Sequence, residues 1–373
     1  MKGPVYEKPF MGRFIWKGVD NMHMADALIS PAVGGAMLAV TAGMAAYSAK
    51  KISGDMDEKK IPLMGVMGAF VFAAQMINFT IPATGSSGHL GGGMLLAILL
   101  GPYAGFLTMA SILLIQALFF GDGGLLAYGC NVFNLGFYTC FIAYPLIYKW
   151  FTHRGLTSKN IFWGATISAL IALQLGAFSV VLETLASGRT ELPFASFVLL
   201  MQPIHLAIGL VEGLVTAAVV AFVWKARPEV LEKAAAGEAM GNISIKKVLT
   251  GLVVAVVIVG GALSWFASSS PDGLEWSMER IAGTAELEAP AGIHQALSDL
   301  QSKTAFMPDY GFKASEEEIV EAAAAEEAAG TWPAVDAGTS VAGLVGGALT
   351  LIMAALIGYV ISLSKKKGSR AAA

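Results

Sequence analysis

Residues 90–120 read LGGGMLLAILLGPYAGFLTMASILLIQALFF, and the way this charge-free stretch divides decides the fold. Proline has no N–H to donate and restricts the residue before it, so a helix breaks at Gly101-Pro102. Leu90–Leu100 is too short to cross a hydrocarbon core of roughly 30 Å, whereas Tyr103–Phe120 is long enough. The stretch is predicted as a half-length helix, a turn and a full return helix, with Leu90 and Phe120 at the same membrane face. Apolar runs flank it on both sides. Pro31–Ala49, Ile61–Ile81, Leu126–Lys149, Ile161–Leu185, Val198–Trp224, Val248–Ala267 and Ser340–Leu363 each read as a span.

The charges test this division. Lys50, Lys51, Lys59 and Lys60 follow the first span, and Lys149, Arg154 and Lys159 follow the run Leu126–Lys149. Lys225, Arg227, Lys233, Lys246 and Lys247 precede Val248–Ala267, and Lys365, Lys366, Lys367 and Arg370 end the sequence. All four groups fall on one side only if the Gly101-Pro102 hairpin returns, and the positive-inside rule makes that side the cytoplasm. The topology expected is N-terminus out and C-terminus in, in the cytoplasmic (inner) membrane. The first 21 residues fit an outer position badly, because they carry Lys2, Lys8, Arg13 and Lys17 and lack the apolar core of a signal peptide.

Of 373 residues, 55% are hydrophobic and only 14% charged, which excludes an ordinary soluble domain, a disordered chain and a disulfide scaffold. The net charge of −3 is no nucleic-acid binder's. It also conceals a separation. Residues 268–339 hold fourteen acids against three bases, and the remainder holds twenty-one bases against thirteen acids. A basic membrane body therefore carries an acidic lobe, predicted outside; its run Ala314–Ala329 reads as an exposed helix. Cys130 and Cys140 are ten positions apart in one apolar run, too far along a helix axis to bond to each other.

No Gly-Lys dipeptide occurs, hence no Walker A phosphate loop, and no HExxH occurs. His23 precedes the first span and His89 precedes the broken hairpin, within Gly88-His89-Leu90-Gly91-Gly92, so the topology sets both at the outer face. Imidazole suits nickel, cobalt, copper and zinc; on spacing alone, two unrelated loop histidines is the simpler reading. His205 and Glu212 share a helix face, as do Gln75 with Asn78 and Asn131 with Asn134. For these, and for Glu183 near an outer helix end, helix-to-helix hydrogen bonding is favoured over ligation. His153 and His294 read as solvated.

Four segments carry a resemblance. They are Met22-His23-Met24-Ala25-Asp26 through Pro31, Ser87-Gly88-His89-Leu90-Gly91-Gly92, Ile98 through Gly124, and His205-Leu206-Ala207-Ile208-Gly209-Leu210-Val211-Glu212-Gly213. Together they resemble the nickel/cobalt substrate-capture subunits of energy-coupling-factor transporters, the CbiM/NikM type. Pro271-Asp272-Gly273-Leu274-Glu275 resembles the fingerprint of the accessory domain often fused to them, with two membrane helices around an outer loop. The resemblance implies an all-α, polytopic transmembrane bundle with a broken-helix hairpin, and four parts: an extension 1–21, a metal-capture domain 22–227, a cytoplasmic linker 228–247 and an accessory unit 248–373. It implies metal ligands Met22, His23 and His89 in a planar four-nitrogen site, with Ser87, Asn78, Asn131, His205 and Glu212 as candidates for lining the site or its pathway. Ni(II) or Co(II) would be transported cargo, with no permanent cofactor. The partners implied are a transmembrane coupling subunit and two cytoplasmic ATPase subunits. In that family the chain begins at the Met-His pair, so translation from Met22 or removal of 1–21 is expected, and intact mass decides it. Two other readings remain open. A self-sufficient metal/proton transporter would relay protons through Glu183, Glu212 or His205. An intramembrane metalloenzyme would need three ligands and a general base, a cluster the sequence does not offer.

Overall fold

The computed structural model describes residues 22–52, 59–189, 193–283, 290–313 and 333–371. The expectations for 1–21 and for the acidic run Ala314–Ala329 lie outside them. The chain is a helical bundle in which, among the described residues, six helices are long and apolar enough to cross a membrane. These are α1 (Pro31–Ile52), α4 (Pro102–Ile115, continued by a wider π turn to Phe120), the run from α5 (Tyr128–Val132) through the π-type segment Phe133–Tyr148 to α6 (Lys149–Thr152), α7 (Ser158–Ser187), α8 (Phe194–Ala226) and α13 (Ala337–Ala371). Between them lie α2 (Lys60–Gln75), α3 (Gly93–Leu100), α9 (Pro228–Ala236), α10 (Lys246–Gly261), α11 (Gly273–Ala282) and α12 (Ile293–Thr304). Leu146, Leu199, Phe222 and Ile352 stand exposed on the outer faces, where lipid tails replace water as solvent.

The hairpin breaks where expected. Gly101 sits at φ 82°, a conformation other residues avoid, and Pro102 opens α4 at a position where its missing N–H costs nothing. The eight residues of α3 climb only about 12 Å. The chain makes up the rest of the return with Leu90–Gly92 as unwound backbone, which inside a membrane must find hydrogen-bond partners within the protein. Glu212 on α8 supplies them: its two carboxylate oxygens accept from the Gly91 and Gly92 N–H groups, each at 3.0 Å. Gln75 Nε2 donates to Gly91 O at 2.8 Å and is itself steadied by Gln116, whose Nε2 donates to Gln75 Oε1 at 2.9 Å.

Two expected spans end early. The helix predicted over Ile61–Ile81 stops at Gln75, and Phe79–Ile81 instead forms strand β1, antiparallel to β2 (Ser86–Gly88) with Thr80 opposite Ser87. This hairpin delivers His89 to the end of the bundle. The run Val248–Ala267 is helical to Gly261 and then turns through a short 3-10 segment, Leu263–Phe266.

The C-terminal unit is packed into the bundle, not appended to it. Helix α13 lies against α2, α4 and α10. At Gly346 the approach is so close that a Cβ would stand 2.1 Å from Phe72 Cζ, so only glycine fits. Lys59 Nζ donates to Ile243 O at 2.8 Å and Lys149 Nζ to Ala235 O at 3.1 Å. These contacts gather three of the four basic groups at one end of the bundle, with α2 separating them from the histidine end. Both cysteines are free and buried.

Candidate metal centre

Residues 22–25 lead into a short 3-10 turn, Asp26–Leu28, and this segment is pinned to the start of α5. Asn131 clamps Met24 at both ends, its Oδ1 accepting from Met24 N and its Nδ2 donating to Met24 O, both at 3.1 Å. Asp26 Oδ1 accepts from Ala127 N at 2.9 Å. These bonds fix the neighbouring His23, which is only 5% exposed.

His23 and His89 come together from sequence positions 66 apart, their ring centroids 5.3 Å from one another. A metal bound to two imidazoles at about 2 Å per bond holds ring centres roughly 4.5–6.5 Å apart, according to the bond angle. His89 Nε2 donates to Met22 O at 2.9 Å, so the tip of that ring lies on the Met22 main chain. Burial, and then the neighbouring His23, push the His89 imidazole down to about 4, which keeps it neutral and able to offer a lone pair.

His23 is oriented by Asp122, in the turn that follows α4: Nδ1 donates to Asp122 Oδ2 at 3.0 Å. Gly121 and Gly123 flank Asp122 at φ 74° and 79°, and a Cβ on Gly123 would come within 2.9 Å of His23 Cβ. Burial opposes the Asp122 charge, but the facing His23 ring and hydrogen bonds from His23 and Tyr310 outweigh it and hold the carboxyl below its usual range. With Nδ1 so engaged, His23 Nε2 is buried and has no hydrogen-bond partner. An orphaned imidazole nitrogen is costly unless a ligand uses it. A planar site using the His23 main-chain nitrogen as well would close its ring through Nδ1, the nearer nitrogen; the nitrogen offered here is Nε2.

The other candidates divide by role. Met22, His23, His89, Asn131 and His205 line one cavity of about 80 Å³ together with Asp272 of the accessory lobe. His205 Nδ1 donates to Met201 O at 2.8 Å, within its own helix. Glu212 holds the glycine-rich backbone as described, and Asn134 Nδ2 donates to Glu183 Oε2 at 2.8 Å, a contact between helices. Ser87 ties the His89 loop to the lobe: its N–H donates to Pro271 O at 2.8 Å and its Oγ to Ser270 O at 2.7 Å. Asn78 does likewise through its main chain, its carbonyl accepting from Ser268 N at 2.7 Å. Among the described residues no three His, Cys, Asp or Glu side chains stand close enough to hold a metal, so two imidazoles would need main-chain donors to complete a site.

Two expectations change. His294, read as solvated, is 2% exposed and donates through Nε2 to Ile29 O at 2.8 Å. It helps fasten the lobe over the segment that carries His23. Asp122 and Tyr310, absent from the sequence candidates, adjoin His23 directly and through one another. The flanking glycines of Asp122 signal a turn, but nothing local signals its partner 99 residues away.

The structure is a multi-pass helical bundle with two buried imidazoles side by side at one end, and the comparisons with known proteins point to metal uptake. Residues 23–230 match the family described as cobalt uptake substrate-specific transmembrane region, and residues 246–363 match the PDGLE domain. The chain belongs to that cobalt-uptake family and carries a fused PDGLE domain. A "putative fused nickel transport protein NikMN" of Archaeoglobus fulgidus is 31% identical over 334 residues, covering 89% of this chain and 96% of the relative. The cobalt transport protein CbiM of Geobacter sulfurreducens is 30% identical over 232 residues, 59% of this chain and 64% of that protein. A crystal structure of a truncated transition metal transporter aligns with TM-score 0.49 at 29% identity, over 55% of this chain and 99% of the other.

Proposed function

We propose that the chain captures Ni(II) or Co(II) at the outer face of the cytoplasmic membrane, with Met22, His23 and His89 as ligands. It would act as the substrate-specific subunit of an energy-coupling-factor ABC transporter, beside a transmembrane coupling subunit and two cytoplasmic ATPases. The observation that carries this reading is the pair of buried, neighbouring imidazoles, one with an unpartnered nitrogen, set against the Met22 main chain. Neutral imidazole and main-chain donors suit nickel and cobalt better than the hard cations that prefer carboxylates. A relative named as a nickel transport protein and matched over most of both chains favours nickel.

Isothermal titration of the purified chain with Ni(II) and with Co(II) tests the site. His23→Ala and His89→Ala are each expected to abolish tight binding, while His153→Ala, at an exposed residue, leaves it unchanged. Tight binding retained in His89→Ala rejects the assignment.

A further inference from the structure

His89 stands on a loop that one face of α8 grips from both sides. On the N-terminal side Gly88 ends β2, and a Cβ there would overlap the Ile208 side chain, so the strand lies directly on α8. On the C-terminal side the backbone is unwound from Leu90 to Gly92, and Gly92 takes φ 75° before α3 begins. Glu212 lies one turn beyond Ile208 on the same helix face and is 3% exposed. Its two oxygens accept from Gly91 N and Gly92 N at 3.0 Å each, at the end of α3 where the helix dipole favours a negative group. Gln75 takes the Gly91 carbonyl, donating to it at 2.8 Å. Beyond this grip the His89 ring reaches Met22 O at 2.9 Å and stands 5.3 Å from the His23 ring, centroid to centroid. Where the loop is held therefore decides where the ring meets the Met22–His23 segment.

We propose that Glu212 is a positioning residue of the metal site: by fixing Gly91 and Gly92 to α8, it holds His89 at the separation from Met22 and His23 that a shared metal requires. Two main-chain N–H groups buried in the bundle have no water to turn to, so without the carboxylate the loop must shift to satisfy them. A preorganised site tolerates displacements of only about 0.5 Å in its ligands. With both oxygens engaged by main chain, Glu212 is placed to hold backbone and not to relay a proton. The inference rests on His89 being a ligand, and it holds whichever ring nitrogens bind.

The test is isothermal titration of the full chain in lipid nanodiscs with Ni(II), read together with the ligand-field absorption of the bound ion. Glu212→Gln keeps the size of the side chain and one acceptor oxygen, and sets an amide NH2 against a backbone donor. It is expected to weaken binding about 10-fold and to shift the absorption bands, because the ligand geometry changes. Gln75→Met removes the other hold on the same turn, and a smaller loss with a shift of the same bands is expected. An affinity in Glu212→Gln equal to wild type overturns the proposal. So does a weakened affinity with unchanged bands, since the bundle would then be loosened without moving a ligand. Should Glu212→Gln fail to fold, Gln75→Met is judged by the same two readings. Failure of the site itself is read separately, from wild-type affinity in His89→Ala.

Discussion

Asp272 serves the lobe in two opposing ways. Its Oδ1 caps α11, accepting from Leu274 N and Glu275 N at 2.8 Å each, yet burial beside the cavity, only partly offset by those bonds, pushes the carboxyl up to about 6. A folded value above the unfolded one of about 3.9 means that stability is fully present below pH 4 and lost as pH rises through 6. Asp272→Asn keeps a capping oxygen and removes the charge. Its stability in nanodiscs, followed through the thermal midpoint, is expected to exceed wild type at pH 7.5 by about 2 kcal/mol and to equal it near pH 4. Identical midpoints at both pH values would contradict the assignment. The family fingerprint was legible in Pro271-Asp272-Gly273-Leu274-Glu275, while its use of Asp272 as a helix cap is a finding of the structure. That Asp272 would face the histidine cavity was not legible, because it depends on how two distant segments dock.

Among the elements, α13 is seated closely against α2. A Cβ at Gly346 would overlap the Phe72 ring, while one at Gly35 on α1 would meet nothing within 4 Å. Gly346→Val is therefore expected to destabilise the chain by about 1–3 kcal/mol and to expose the lobe to limited proteolysis, with Gly35→Val close to wild type in both assays. Protection of the lobe unchanged in Gly346→Val would show that other contacts suffice to hold it. The division of residues 90–120 could be read from local chemistry, since Gly101-Pro102 breaks any helix. The end of α2 could not: Phe79-Thr80-Ile81 is apolar enough to continue the span, and only its pairing with Ser86–Gly88 makes it a strand. Glu212 shows the same limit. Its spacing from His205 is visible in the sequence, whereas its work of satisfying Gly91 and Gly92 is set by the return of the hairpin.

For the molecule as a whole, the basic groups foretold which loops share an end, and the contacts of Lys59 and Lys149 with residues 235–243 agree. The charge of the lobe did not foretell its docking, which runs through Ser87, Gln301, His294 and Tyr310, mostly to backbone carbonyls. In proteoliposomes the chain alone is expected to bind metal without accumulating it, and to support uptake only with a coupling subunit and ATPases hydrolysing ATP. Accumulation driven by a proton gradient in the chain alone would instead favour the proton-relay reading of Glu183, Glu212 and His205. The sixteen-residue helices α2 and α10 carry one further consequence. Each is only about 24 Å long against a hydrocarbon core of about 30 Å, yet both pack along the longer α13. Helix α2 is buried within the bundle, so the mismatch with lipid falls on α10, whose Val253, Val254, Val257 and Ile258 are exposed. Acyl-chain length thereby acts on the helix that holds the lobe over His23, and a thicker membrane strains the far side of the metal site.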